Sequence, residues 1–269
     1  MNSELYQKVN YSNGIEYYSG YIVEYDIRQA NINALLSRGI ISSDLYNNLS
    51  TADKKYREIY VGNMIKRDEN IYKEIQAGII DAKRMFMEEN NIEDNDILSI
   101  KNDALFILSD RPMVQEFGNY YFAKKNIFTF FFKFYKDKEW YYRFDQQSLN
   151  DIIEVKGIGD EALMLHQDYF LKFLADISYN LQRSSIEETI NRCNEFYTSY
   201  LNRQLEIGYY REFDNYSQFR ITFKGDVNKS YLLPMVTEND IINLDINYNL
   251  RVLRDLIKVI DQIYFSQRY

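Results

Sequence analysis

Apolar and polar positions alternate most clearly over Gly20–Asp26 (GYIVEYD), a run rich in β-forming residues that predicts a strand. Ala30–Arg38 (ANINALLSR) then switches to helical spacing and predicts a helix stopped by Gly39, which leaves Asp26 at a strand-to-helix junction. From Thr51 to Asn90 the chain is charged and patterned at helical spacing. Ile75, Ile79, Ala82, Met85 and Phe86 form one apolar stripe there, so two or three helices are expected. Ile97–Leu108 has two short apolar runs flanking Lys101-Asn102-Asp103, the pattern of a β-hairpin with a polar tip. After Pro112, Asn119–Arg143 is dense in aromatics around a Lys-Asp-Lys-Glu turn and predicts two antiparallel strands. The chain then reads as mostly helical up to Gly208, and Gly208–Lys224 returns to strand character. Leu244–Phe265 is patterned as an amphipathic helix with Leu250, Leu253, Leu256, Ile257 and Ile260 on one side. The class is α+β.

Composition narrows the function classes. With 46% hydrophobic and 27% charged residues, 269 residues suffice for one large or two small cores, which excludes disordered and collagen-like chains. The 26 Tyr and 17 Phe against 10 Gly and 2 Pro fit an AT-rich coding bias over a helix-tolerant fold with few sharp turns. One cysteine, Cys193, excludes an intrachain disulfide and fits a reducing compartment. One histidine, His166, leaves a Cys/His zinc site and a Ser-His-Asp triad poorly supplied, so both residues read as packing residues. The net charge of −8 argues against a wholly basic protein that coats nucleic acid, while a local basic groove remains open. The first fourteen residues are polar, and no run approaches the ~18 apolar residues of a membrane span. A cytoplasmic protein without a membrane partner is expected.

Asp26 ends a strand, and Asp103 sits at a hairpin tip 77 positions later. Two carboxylates on neighbouring strands would suit Mg²⁺, which takes oxygen ligands and is usually held by one or two carboxylates plus substrate phosphates. Two-metal phosphoryl transfer is the chemistry that uses such a site. Each residue also has a plainer reading: Asp26 as a helix N-cap, and Asp103 as an ordinary turn residue.

In motif order the chain resembles the palm of family B DNA polymerases of phage or viral type. YDIRQANINALL, from Tyr25, resembles the first palm motif, in which an aspartate closing a strand precedes a Ser-Leu-Tyr-Pro-Ser-like helix start; Asp26 matches its metal ligand. LSIKNDALFI, from Leu98, resembles the Tyr-Gly-Asp-Thr-Asp-Ser hairpin, with Asp103 on the second aspartate, the family's direct metal ligand. KKYREIYVG places Lys54 eight residues before Gly62, as in the fingers helix whose lysine meets the incoming triphosphate, although Glu58, Ile59 and Val61 replace its Asn, Ser and Tyr. YFAKKNIF resembles the Lys-Lys-x-Tyr element that grips primer-template, matching Lys124 and Lys125, with Phe128 near the tyrosine's place. IEVKGIGDEALML, with Lys156, resembles the Lys-Gly step into the thumb, and NLDINYNLRVLRDLIKVI resembles the thumb's closing segment.

The resemblance implies a palm-like antiparallel sheet flanked by helices over residues 1–145, a reduced fingers insertion at about 46–78, and a mainly helical thumb-like region over 146–269. It implies two Mg²⁺ ions, replaceable by Mn²⁺, at Asp26 and Asp103. It further implies triphosphate contacts from Lys54 and Asn31, and backbone contacts to nucleic acid from Lys124, Lys125 and Lys156. The chain departs from the pattern where Lys101 takes the first hairpin aspartate's place and Asn31 replaces the tyrosine that excludes ribonucleotides. It is also too short for the family's amino-terminal and exonuclease domains.

The expected activity is template-directed nucleotidyl transfer on primer-template with nucleoside triphosphates, by one subunit of a divided polymerase in the host cytoplasm. The alternative is a catalytically inactive, polymerase-derived subunit that binds nucleic acid or companion proteins. An unrelated α+β interaction protein is a third reading. Plainer readings accompany the remaining motifs. Lys54 would be a solvated helix residue, Lys124 and Lys125 an edge-strand guard, and Ile127–Tyr135 sheet core rather than a base-stacking platform. The run from Leu149 also fits a helix-hairpin-helix presenting N–H groups to phosphate, against which Asp160 and Glu161 act.

Overall fold

The computed structural model describes residues 4–134, 138–213, 221, 223–225 and 236–266. Among these the protein is α+β, with eight strands and eight α-helices. The first part of the chain runs β1 (Asn10–Ser12), β2 (Tyr17–Ile27), α1 (Ala30–Ser37), α2 (Ser43–Thr51), α3 (Lys54–Arg67) and α4 (Asn70–Glu89). It continues through β3 (Ile97–Lys101), β4 (Ala104–Ile107) and β5 (Glu116–Phe117) into β6 (Tyr120–Phe134), β7 (Lys138–Asp145) and β8 (Asn150–Lys156). Helices α5 (Asp160–His166), α6 (Phe170–Arg183), α7 (Ile186–Leu201) and α8 (Asn247–Ser266) follow. The sheet order is β1-β3-β4-β2-β6-β7-β8, with β5 beside β6.

The chain divides into two compact units, Met1–Gly14 with Tyr21–Ile127, and Ile15–Gly20 with Phe128–Tyr269. In the first, Val23, Tyr25 and Ile27 of β2 and Leu105 and Ile107 of β4 share a core with Ile75, Ile79, Ala82 and Phe86 of α4. The period-2 alternation of β2 and the helical stripe of α4 thus bury one common face. Helix α1 ends as its sequence dictates. Gly39 takes φ +69°, its N–H bonds the Leu36 carbonyl at 3.0 Å, and the Ile40 N–H bonds that of Leu35 at 2.9 Å, a Schellman-type stop. In the second unit, Phe132, Trp140 and Val155 of β6–β8 pack with Leu174 and Ile177 of α6 and with Leu250, Leu253 and Leu256 of α8.

The hairpin, the paired aromatic strands and the final amphipathic helix stand where the pattern predicts them, although the turn residues 135–137 lie outside the described residues. Three readings are corrected. Asn150–Lys156 is a strand rather than helix, paired in register with β7 from Glu139↔Lys156 to Asp145↔Asn150; its Ile-Ile-Glu-Val core favours the extended chain. The helix-hairpin-helix therefore does not form, because its first arm is β8. Ile207–Tyr210 is a 3₁₀ turn rather than the start of a strand. There the tyrosine rings pack locally, Tyr200 against Tyr210 at 4.9 Å and Tyr169 against Tyr209 at 5.2 Å. Residues 214–220 and 222 of the expected strand lie outside the described residues. Among the described residues no helix is long and apolar enough to cross a membrane.

Candidate active site

Strand pairing brings the ends of β2 and the β3–β4 hairpin side by side. Asp26 is the register partner of Ala104. One residue along, the Ile27 N–H donates to the Asp103 carbonyl at 3.3 Å. Asp26 is not a helix cap, since the N-cap of α1 is Gln29, whose φ of 54° is left-handed and whose side chain makes no capping bond. Asp103 does occupy the hairpin turn, next to Asn102 at φ 56°, and its Oδ1 accepts from the Asn102 amide at 3.3 Å. Lys101 is paired with Ala104 at the base of the same turn.

Lys125 joins this group from β6. Its ammonium lies 3.8 Å from the Asp26 carboxylate and 3.5 Å from that of Glu24. Glu24 is fully buried and also accepts from the Asn126 amide at 2.7 Å. A second lysine approaches the hairpin from α4. Buried Lys83 donates to the carbonyls of Lys8 at 2.6 Å and Asn102 at 3.2 Å. Burial pulls its ammonium down to about 8, against the opposing pull of the Asp103 charge.

Glu24 and Lys83 were not singled out from the sequence, yet each carries a signal. Glu24 falls within the apolar alternation of β2, and Lys83 lies four residues beyond the stripe residue Ile79.

The other expected contacts stand apart in their bonding. Lys54 is exposed on α3 and paired with Glu58 at 3.7 Å. Asn31 and Lys124 are exposed on α1 and β6. Lys156 belongs to the second unit and bonds Glu154 at 2.6 Å. Phe128, Phe130, Phe131 and Phe132 are buried, as the sheet-core reading of that strand requires. His166 and Cys193 are buried too.

Among the described residues no group of three or more His, Cys, Asp or Glu side chains forms a metal cluster. Carboxylate oxygens such as those of Asp26 and Asp103 are of the donor type Mg²⁺ accepts when water and substrate phosphate supply its remaining oxygens.

A sequence profile described as the bacteriophage PBS1 gene 130 protein matches residues 1–262. The chain belongs to that family. It is thus a phage-type protein. No curated protein matches the chain.

Proposed function

We propose that this phage protein carries a polymerase-type palm site and transfers nucleotides to a primer end. The observation that supports the reading is the register: Asp26 pairs with Ala104, directly beside Asp103. The strand end that carries Asp26 and the hairpin turn that carries Asp103 are therefore backbone neighbours in one antiparallel sheet, in the motif order of the family B palm. Asp26 and Asp103 would hold Mg²⁺, with Mn²⁺ as a substitute. Such ions supply activation of a primer 3′-hydroxyl and charge neutralisation on the triphosphate. The protein's own residues would position the substrates: Lys124 and Lys125 through the nucleic-acid backbone, and Lys54 and Asn31 through the incoming nucleotide, while Lys156, in the second unit, would contact nucleic-acid backbone in its own right. Primer extension by the full chain with Mg²⁺ and Mn²⁺, beside Asp26→Asn and Asp103→Asn, tests this. Extension lost in both variants is expected, and extension unaffected by either substitution contradicts it.

A second reading has its own support. Lys125 pairs with Asp26, and Lys101 takes an acidic position of the hairpin motif, so cations stand where a two-metal site concentrates negative charge. These features fit a palm-derived subunit that binds nucleic acid or companion phage proteins without catalysis. A chain that binds primer-template or a partner and shows no extension with either metal would establish it.

A further inference from the structure

The hairpin turn that carries Asp103 is fastened from three sides, all within the first unit. From the segment ahead of β1, the Val9 carbonyl accepts the Asn102 N–H at 2.7 Å. From β2, the Ile27 N–H donates to the Asp103 carbonyl at 3.3 Å. From α4, Lys83 Nζ donates to the Asn102 carbonyl at 3.2 Å and to the Lys8 carbonyl at 2.6 Å. The first two are backbone bonds that almost any residue can make. Only the third depends on the identity of a side chain.

Two of these bonds bracket the Asp103 Cα. The Asn102 carbonyl belongs to the rigid peptide plane that enters that atom, and the Asp103 carbonyl to the plane that leaves it. Lys83 holds the first plane and Ile27 the second, so the direction of the Asp103 Cα–Cβ bond is fixed from both sides. The entering plane follows Asn102, whose φ of 56° is uncommon for residues other than glycine. Helix α4 places Lys83 for this contact. The residue is 1% exposed and lies on the face that Ile79, Ala82 and Phe86 bury. A buried ammonium is costly to keep, and an apolar side chain of similar volume is often at least as stable in its place. Among the described residues no carboxylate forms an ion pair with Lys83, and its two hydrogen bonds go to the turn and to the segment beside it.

We infer that Lys83 is a positioning residue of the carboxylate site: through the Asn102–Asp103 peptide it sets the direction in which the Asp103 side chain leaves the backbone. The inference rests on the palm reading of Asp26 and Asp103, and adds to it the side chain that holds one of the two ligands in place. Lys83 touches neither metal nor substrate and acts only through the turn. Charge and geometry then predict opposite effects of removing its ammonium. By charge alone, loss of a cation whose field reaches Asp103 would tighten the binding of another cation there. Weaker binding therefore marks lost geometry.

The test compares the full wild-type chain with Lys83→Met, which keeps an unbranched side chain and removes the ammonium. Mn²⁺ binding is followed by electron paramagnetic resonance, stability by the thermal midpoint, and the turn by amide exchange of Asn102 and Ile27. Lys83→Met is expected to melt no lower than the wild type, to exchange both amides faster than the rest of the β3–β4 hairpin, and to bind Mn²⁺ about tenfold more weakly, the lower end for losing a group that orients a metal ligand. Mn²⁺ binding by the variant that equals or exceeds that of the wild type overturns the inference and leaves the palm reading standing. A lowered midpoint with the turn's exchange unchanged also overturns it, because Lys83 is then only a core residue. Wild-type protein that takes up no Mn²⁺ overturns the palm reading and this inference together, so the two failures are distinguishable. If Lys83→Met does not fold, exchange in the wild type decides: an Asn102 amide as slow as those of the β3–β4 ladder supports a fixed turn, and one as fast as an exposed loop amide overturns it.

Discussion

The Lys125 ammonium stands 3.8 Å from the Asp26 carboxylate, so the residue expected to grip nucleic acid also neutralises the residue expected to hold a cation. The two roles compete, and the competition is electrostatic. A cation arriving at Asp26 must displace or tolerate the lysine charge, whereas a phosphate at Lys125 would release Asp26 from its partner. Lys125→Met should therefore tighten Mn²⁺ binding at Asp26 by roughly two- to fivefold, the worth of a half-exposed pair of about 0.5–1 kcal/mol. It should also weaken primer-template binding. Titration calorimetry on the variant checks the first effect and a salt-dependent gel shift the second; unchanged Mn²⁺ affinity would mean the pair does not control the site.

The close approach of α1 and α4 sets the base on which β2 and the hairpin rest. A Cβ on Gly78 would stand 2.7 Å from the Ala34 Cβ and 2.9 Å from the Tyr120 hydroxyl. Gly78→Ala gains about 1 kcal/mol of helix propensity but overpacks this contact, which typically costs about 1–3 kcal/mol. A net loss is expected, visible as a lowered thermal midpoint. A raised midpoint would show that the helices can separate without cost.

His166 makes stability depend on pH in a definite direction. Burial, aided by the nearby Arg211 charge and opposed by a bond to the Glu212 carbonyl, holds its imidazole down at about 4 against an ordinary 6.5. The folded state therefore binds its proton less readily than the unfolded state. The stabilisation is complete above pH 6.5 and is lost as pH falls toward 4, reaching about 3 kcal/mol in total. Urea unfolding at pH 7 and pH 4.5 should show a larger loss in the wild type than in His166→Gln. Equal losses would remove His166 from the account.

Much of this architecture was legible because single segments carried it. The alternation of β2, the stripe of α4, the polar tip of β3–β4 and the Gly39 stop are each local patterns with one physical solution. Strand β8 was missed because Ile152, Ile153 and Val155 sit among charged residues, and only the pairing of β8 with β7 reveals why they are extended. The 3₁₀ turn at Ile207–Tyr210 was missed for a related reason: its tyrosines look like strand residues until their ring partners are known. At the candidate site, the pairing of the end of β2 with the β3–β4 hairpin could be anticipated from motif order. The burial of Glu24 and Lys83 depends on which face of β2 and of α4 turns inward, which no single segment dictates.

Direct binding of Mn²⁺ to the full chain tests the carboxylate pair most plainly, because it separates metal capture from every later step. Electron paramagnetic resonance titration of the wild type should show saturable Mn²⁺ binding that Mg²⁺ competes away, and Asp26→Asn and Asp103→Asn should each weaken it at least tenfold. Wild-type protein that takes up no Mn²⁺, or variants that bind it as the wild type does, would contradict a palm site built on Asp26 and Asp103.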